Sequence, residues 1–276
     1  MRYIISRFCA SIASHQKKLL LIIFGTLFAL TPGRAVIGAN ADARFQLKCR
    51  PFTNVVLPTA RQQTDPEAVE RFRQIIQEVR SGSHNILFLG DSLTRKWDPA
   101  IWNRDFAPRG ALNAGVNGDR TEHLLWRLDH GDLDGQHPQA VVLLIGTNDI
   151  GRNRPPEVIA EGIRDILGLL RSRLPAARIL LLGVLPRNES PFSRRRDQVR
   201  EVNRRIRMCA DNEHIFYDNV GKVLLDRTGR LTRTISPDGV HLSKDGYFLL
   251  TARLELALRP ILTSGQSLPG RQTQTR

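Results

Sequence analysis

Five residues that are far apart in the chain are of the types that together could cleave an ester. Ser92 could act as a nucleophile if His241 took its proton, because neutral imidazole is the base best matched to neutral pH. Asp238 is three residues before His241 and is close enough to hold the other ring nitrogen. The oxyanion that develops during attack needs donors, and the candidates are the Ser92 N–H, the Gly118 N–H and the Asn148 side-chain amide.

Each of these residues also has an ordinary structural explanation. Gly90-Asp-Ser92 and Asp238-Gly239 are common turn sequences, and Gly118-Asp119 could merely begin a helix. Asn148-Asp149 could cap the turn before Pro155. The residue types alone therefore do not distinguish a catalytic site from a set of turns, and the positions of the residues in the fold must do so.

Short apolar runs alternate with helical patterns along the chain. The run 86–89 has no polar face, as expected of a strand that is covered on both sides in a parallel sheet. Five such strands are predicted, at 86–89, 111–114, 141–145, 178–182 and 215–217. Helices are predicted at 65–80, 119–128, 155–174, 193–210 and 243–258, with a short helix or irregular segment at 95–106. This alternation predicts one α/β domain over residues 65–262, with a parallel sheet between two helical layers.

The predicted sheet brings the candidate residues to one edge. Ser92, Gly118 and Asn148 follow the first, second and third strands. Asp238 and His241 lie just before the closing helix. Open α/β sheets place their ligands beyond the carboxyl ends of the strands. The joint order of these residues at one edge favours the catalytic explanation over a set of unrelated turns.

The first 41 residues have the order of a secretory signal. Basic residues from Arg2 to Lys18 precede the apolar run 19–30, and Ala39-Asn-Ala41 supplies small residues for cleavage. The apolar run is too short to cross a bilayer comfortably, and an uncleaved N-terminal anchor is the alternative. The rest of the chain is predicted to be exported to the periplasm or secreted. Residues 42–64 are predicted to form an extended lead-in, and residues 263–276 a disordered tail.

The chain is strongly basic, with a formal net charge of +14. Five of its 41 Lys and Arg residues and none of its 27 Asp and Glu residues precede Asp42, so 36 basic residues remain against 27 acidic ones. Part of this charge is predicted to form the outer face of the 193–210 helix, which holds Arg194, Arg195, Arg196, Arg200, Arg204, Arg205 and Arg207. Such a face could hold an anionic polymer or lipid, and a non-catalytic binder is the rival function class. No nucleic-acid partner is expected.

The cysteines and the known metal motifs indicate no cofactor. Cys49 and Cys209 could pair in an oxidising compartment, or Cys209 could be a small buried residue, and the sequence leaves this open. The chain has no His-Glu-x-x-His zinc motif and no Gly-x-Ser-x-Gly motif around Ser92. Neither a metal site nor a cofactor is predicted.

Four ordered segments resemble the motif blocks of the SGNH (GDSL-type) hydrolase family. They are Gly90-Asp-Ser-Leu93, Gly115-Val-Asn-Gly118, Gly146-Thr-Asn-Asp149 and Asp238-Gly-Val-His241. Within that family, the segments 111–128 and 182–187 are similar to the catalytic subunits of platelet-activating-factor acetylhydrolases. The resemblance covers about residues 65–262.

The resemblance implies a flavodoxin-like three-layer αβα sandwich with a five-stranded parallel sheet, and ester hydrolysis through an acyl-enzyme without a metal. By residue match it implies Ser92 as the nucleophile, Asp238 and His241 as the rest of the triad, and Ser92, Gly118 and Asn148 as oxyanion donors. The export signal is a departure from those cytosolic acetylhydrolases. So is Asn117, which stands where a second glycine is usual. Their substrate and their dimer are therefore not carried over, although a dimer stays open.

The expected activity is that of an exported serine esterase that removes a small acyl group, in the first instance acetyl. The substrate could be an acetylated carbohydrate, or it could be a lipid cleaved in the manner of a lysophospholipase. The sequence does not separate these alternatives, because the size of the acyl pocket depends on the packing of loops 149–155 and 186–191.

Overall fold

The computed structural model describes residues 62–263 of the chain. Within this range, the strands are β1 (Ile86–Gly90), β2 (Ala111–Gly115), β3 (Ala140–Leu144), β4 (Arg178–Leu182) and β5 (Ile215–Asp218). The α-helices are α1 (Pro66–Ser81), α2 (Ser92–Arg95), α3 (Pro99–Asp105), α4 (Thr121–Asp129), α5 (Thr147–Gly151), α6 (Pro156–Arg173), α7 (Arg194–Ile206) and α8 (Lys244–Thr263). Short 3₁₀ turns cover Ala107–Arg109, Arg207–Cys209 and Val220–Leu224.

The five strands form one parallel sheet in the order β2-β1-β3-β4-β5. Gly90 at the end of β1 pairs with Gly115 of β2 on one side and with Leu144 of β3 on the other. The order therefore reverses at β1, which is the flavodoxin-like arrangement, and ligands bind beyond the carboxyl ends of the strands at such a switch point. The predicted parallel sheet is confirmed, and its switch point lies directly before Ser92.

Each face of the sheet is covered by its own apolar core. Leu87 and Leu89 of β1 belong to one cluster, which also contains residues of α1, α4, α6 and α7. Ile86 and Phe88 belong to the other cluster, which contains residues of α3 and α8. Successive side chains of a strand point to opposite faces, so β1 must be apolar throughout when both faces are buried. The two clusters thus produce the predicted three layers.

Some element boundaries differ from the sequence prediction for local reasons. The Asp65 carboxylate accepts the Ala68 N–H at 3.1 Å, so Asp65 caps α1 and the helix begins one residue later than predicted. Helix α4 begins at Thr121, two residues later than predicted, and Asp119 is drawn into a buried ion pair. Helix α8 continues through Thr263, which therefore belongs to the helix and not to the predicted tail.

The arginines of α7 do not form the single outer face that the sequence predicted. Arg196 is 6% exposed and lies in the interior. Arg205 makes a 2.5 Å ion pair with Glu157 of α6, and Arg195 donates to the Gly151 carbonyl at 3.4 Å. A helix turns 100° per residue, so neighbouring arginines in such a run point in different directions. The prediction of one exposed arginine face was wrong for this reason.

The predicted signal, most of the lead-in and the predicted tail lie outside the described residues, as does Cys49. Cys209 is 2% exposed and disulfide-bonded, and the described residues contain no other cysteine that could be its partner. Between residues 62 and 263, no helix combines the length and apolar character that a membrane crossing requires.

Candidate active site

Ser92 stands at the carboxyl end of β1, where the sheet order reverses. Gly90 ends the strand, and a Cβ atom at this position would collide with the Leu144 carbonyl oxygen and the Thr94 hydroxyl. Glycine therefore permits a close approach between the turn and β3. Ser92 follows two residues later as the first residue of α2, and it is only 5% exposed.

The structure brings Ser92, His241 and Asp238 into one hydrogen-bonded chain. Ser92 Oγ lies 2.9 Å from His241 Nε2, although 149 residues separate them in the sequence. His241 Nδ1 lies 2.7 Å from Asp238 Oδ2. When Nδ1 carries the proton that this carboxylate accepts, Nε2 can accept the serine proton. The side chains of His241 and Asp238 are 34% and 55% exposed, so the site opens to solvent beside the nearly buried serine.

Backbone hydrogen bonds fix the Asp238 carboxylate. Its Oδ1 accepts the N–H groups of Val240 at 2.9 Å and of His241 at 2.7 Å, and Gly239, directly after Asp238, has a left-handed φ of 73°. Partial burial raises the pKa of Asp238, but the hydrogen bonds from His241 and Val240 outweigh it and lower the pKa to about 2. The carboxylate is therefore ionised at neutral pH and can stabilise an imidazolium ion.

Asn148 and Gly118 lie on neighbouring loops that are joined by a hydrogen bond. Asn148 is in α5, directly after β3, and its Nδ2 donates to the backbone carbonyl of Asp119 at 2.9 Å. An amide nitrogen carries two hydrogens, so a second one can point to a substrate. Gly118 precedes Asp119 and has a φ of 76°, a conformation that glycine adopts without strain. The structure thus places Asn148 beside the loop that carries Gly118.

A buried arginine that the sequence analysis did not single out holds these loops together. Arg127 of α4 is 1% exposed, and its Nε donates to Asp119 Oδ2 at 2.8 Å. Its Nη2 donates to the Ala114 carbonyl at 3.1 Å, and its Nη1 pairs with Asp132. One guanidinium therefore joins the end of β2 to the loop that carries Gly118. The only signal in the sequence was a charged residue on the inward face of a helix, three residues after Leu124.

Two further buried residues fix the turn that presents Asn148. Asp149 accepts hydrogen bonds from the Thr121 N–H at 3.1 Å and the Thr121 hydroxyl at 3.0 Å. Burial raises the pKa of Asp149 to about 6, although the hydrogen bonds from Thr121 alone would lower the pKa. On the other side, Arg187 is 7% exposed and donates to the Thr147 carbonyl. The residues before and after Asn148 are thus both held by partners from other elements.

Asp91, directly before Ser92, is fully buried. Its Oδ1 accepts the Leu93 N–H at 2.9 Å, and its Oδ2 has no hydrogen-bond partner in the described part of the chain. Burial raises the pKa of Asp91 to about 8, although the hydrogen bond from Leu93 alone would lower the pKa. The negative charges of Asp119 and Asp149 also raise the pKa. Asp91 is therefore mostly protonated at neutral pH, so it adds little negative charge next to the serine.

Within residues 62–263, no group of three or more His, Cys, Asp or Glu side chains is arranged to hold a metal ion. His123, for example, is buried and contacts protein side chains. It is 4% exposed, and its Nε2 lies 3.0 Å from the Arg120 guanidinium. Burial, together with the nearby charge of Arg120, lowers the pKa of His123 to about 4, so the ring is neutral at physiological pH.

Comparisons with known proteins agree with this geometry. Residues 88–249, which include all five candidate residues, match the GDSL-like Lipase/Acylhydrolase family. The bovine platelet-activating factor acetylhydrolase IB subunit alpha1 is 31% identical over 210 residues, which are 75% of this chain and 89% of that protein. The human subunit alpha2 is 34% identical over 189 residues, which are 67% and 80% of the two chains.

A solved structure supports the same fold assignment. A GDSL-like lipase from Bacteroides thetaiotaomicron superimposes with a TM-score of 0.58 at 21% identity, covering 68% of this chain and 97% of that one. The predicted resemblance and the predicted SGNH hydrolase fold are both confirmed. The chain belongs to the GDSL-like Lipase/Acylhydrolase family and is a carboxylic ester hydrolase.

Proposed function

We propose that this protein is an exported serine esterase that removes a small acyl group, in the first instance acetyl, through an acyl-enzyme on Ser92. The observation that carries the proposal is the chain of contacts from Ser92 Oγ to His241 Nε2 at 2.9 Å and from His241 Nδ1 to Asp238 at 2.7 Å. A nucleophile, a base and a group that orients the base are the minimum set for acyl transfer through serine.

The reaction proceeds in two balanced halves. Ser92 Oγ attacks the ester carbonyl carbon while its proton passes to His241 Nε2, and the tetrahedral intermediate then expels the alcohol, which takes that proton. Water next attacks the acyl-serine with His241 again as base, and the carboxylic acid leaves as Ser92 regains its proton. In both halves, the Ser92 N–H, the Gly118 N–H and the Asn148 amide donate to the oxyanion.

The preference for acetyl rests on the relatives. Proteins 31–34% identical to this chain over two thirds or more of its length are named as acetylhydrolases of platelet-activating factor. The measurement that tests this is kcat/KM on 4-nitrophenyl esters of increasing acyl length. We expect the highest value for acetate and a fall by octanoate. A maximum at octanoate would contradict the small-acyl proposal without affecting the role of Ser92.

The alcohol half of the substrate has two alternatives. A carbohydrate O-acetylesterase would release acetate from acetylated glycans, whereas a lysophospholipase-type enzyme would release fatty acid from lysolipids. The partly exposed His241 and Asp238 leave room for a large alcohol group at the site, which both alternatives require. Acetate release from acetylated xylan, measured beside fatty acid release from lysophosphatidylcholine, separates the two.

The central test of the proposal is Ser92→Ala. We expect turnover of 4-nitrophenyl acetate to fall by a factor on the order of 10⁶, as in serine hydrolases that lose their nucleophile. The matched control is Ser83→Ala, which makes the same chemical change at an exposed serine outside the site. Full activity in Ser92→Ala would overturn the assignment of the nucleophile.

The same variant addresses the rival function, a non-catalytic binder of anionic polymer or lipid. Salt-sensitive binding by Ser92→Ala, together with no hydrolysis by the parent protein across a broad ester panel, would favour the binder. The anionic partner and the dimer stay predictions, and neither is needed for the esterase proposal.

Export is supported by the order of the first 41 residues. Expression with the complete N-terminus should give a periplasmic or secreted protein that begins at Asp42. A full-length protein in the membrane fraction would indicate the uncleaved anchor instead. A full-length protein in the cytoplasm would contradict export.

A further inference from the structure

A second cavity lies beyond the ends of β4 and β5, between α7 and the 3₁₀ turn Val220–Leu224. Its volume is about 650 Å³, which is within the range of small-molecule binding sites. Val184 after β4, Tyr217 and Asp218 of β5, and side chains of α7 line it. None of the five candidate catalytic residues is part of its lining, so this cavity is separate from the active site.

The lining of the cavity is strongly cationic. Six basic side chains contribute to it, namely Arg196, Arg200, Arg204, Arg207, Lys222 and Arg253. Asp218 is the only acidic residue in the lining, and it is paired with Arg253 at 2.5 Å. Arg200 and Arg204 pair with acidic residues of their own helix. Arg207 and Lys222 make no ion pair with a described residue, so their charges are available to a ligand.

Arg196 adds a mostly buried positive charge to the wall of the cavity. It is 6% exposed, and its Nη2 donates to the Gly229 carbonyl at 3.1 Å. Its Nη1 is buried and has no hydrogen-bond partner in the described part of the chain. Arg196 makes no ion pair with a described residue, so its charge adds to the positive potential of the cavity. Burial, reinforced by the charge of Arg200, lowers the pKa of Arg196.

We infer that this cavity is a binding site for a phosphate-bearing small molecule, separate from the esterase site. Planar guanidinium groups match the geometry of phosphate oxygens, and Arg207 and Lys222 supply charges that no described carboxylate neutralises. The cavity is large enough for a ligand the size of a sugar phosphate, with the phosphate group against the arginines. This inference does not depend on the chemistry at Ser92, and a protein without esterase activity would retain the site.

Titration calorimetry with pyrophosphate and with glucose 1-phosphate tests the inference on the complete mature protein. We expect saturable one-to-one binding by the parent protein. Arg207→Gln and Lys222→Gln should each weaken this binding by roughly tenfold, the size of one lost hydrogen bond to a charged group. The matched control is Arg194→Gln, which removes the same charge from α7 at an exposed position outside the cavity. It should leave the Kd within about twofold.

Thermal unfolding provides a second measurement. Pyrophosphate should raise the Tm of the parent and of Arg194→Gln, and it should raise the Tm of the other two variants less, because a ligand stabilises the state that it binds. Equal weakening in all three variants would mean that diffuse surface charge attracts the anion, and this would overturn the inference. Absence of saturable binding to the parent protein would overturn it as well. Retention of binding in Ser92→Ala would show that the two sites are independent.

Discussion

The side-chain amide of Asn148 donates a 2.9 Å hydrogen bond to the backbone carbonyl of Asp119, one residue after Gly118. This bond orients the amide, whose second hydrogen can then serve the oxyanion. We predict that Asn148→Ala lowers kcat for 4-nitrophenyl acetate by about 10²–10³, the usual loss for one oxyanion donor. The loss of the bond to Asp119 should cost only about 1 kcal/mol of stability, which urea unfolding can measure. A folded variant with unchanged kcat would contradict the role of Asn148.

We predict a large loss of stability when Arg127 is replaced. Arg127→Met would leave Asp119 and Asp132 as buried carboxylates without their guanidinium partner. Breaking a buried pair in this way costs about 3–5 kcal/mol in the free energy of unfolding. The matched control is Arg173→Met, because the pair of Arg173 with Asp129 is about half exposed on both sides and should be worth about 0–1 kcal/mol. Equal effects of the two substitutions on urea unfolding would refute the positioning role of Arg127.

The fold could be predicted from the sequence because its signals are local and periodic. The run 86–89 is apolar throughout, and its side chains do enter the two separate cores on either side of the sheet. The positions of Ser92 and Asn148 followed from the same signals, since each comes directly after a strand and parallel strands end at one edge. Sequence reasoning therefore placed the candidate residues at one edge without any knowledge of distances.

The buried polar network could not be predicted in the same way. Arg127 pairs with Asp119, and Asp149 accepts hydrogen bonds from Thr121, and no sequence period encodes such pairings. The α7 arginines were wrongly predicted to form one exposed face, because the charge of a residue does not reveal whether its side chain is exposed. Arg196 is buried although it stands in a run of three arginines that looks solvated. Both failures concern polar side chains whose partners lie outside their own helix.

We predict that esterase activity falls on acidification from neutral pH, and that protonation of Asp238 does not cause the fall. The pKa of Asp238 is about 2, so its carboxylate stays ionised from neutral pH down to about pH 4. Protonation of His241 is then the step that stops proton transfer from Ser92, because only neutral imidazole can accept that proton. The measurement is kcat/KM for 4-nitrophenyl acetate between pH 4 and pH 8. Unchanged kcat/KM from pH 8 down to pH 4 would contradict this prediction.

Asp238→Asn tests the carboxylate directly. The amide can still accept the two backbone hydrogen bonds at Oδ1, but it carries no charge to stabilise the imidazolium ion. We predict a loss of kcat of up to about 10⁴-fold, as found for the equivalent change in a serine protease triad. The loss should be smaller if solvent also stabilises the imidazolium ion, because the Asp238 side chain is 55% exposed. Unchanged kcat in a folded Asp238→Asn protein would remove Asp238 from the triad.

The raised pKa of Asp91 predicts a distinct dependence of stability on pH. Its ordinary value is 3.8 and its value in the folded protein is about 8, so between these limits the folded state holds a proton that the unfolded state has lost. The contribution of Asp91 to stability is therefore complete below about pH 4 and is lost as the pH rises towards about 8. Asn at this position cannot ionise, and it keeps an oxygen that can accept the Leu93 N–H.

Asp91→Asn should therefore gain stability relative to the parent protein as the pH rises. We expect the difference in the free energy of unfolding to change by up to about 1.4 kcal/mol per pH unit between pH 5 and pH 8, measured by urea unfolding at each pH. The control is Asp129→Asn, whose side chain is 54% exposed and whose difference from the parent should stay nearly constant. If the Asp91→Asn difference were equally constant, Asp91 would have to be ionised in the folded protein. A negative charge would then lie directly beside Ser92, and the oxyanion donors would have to act against it.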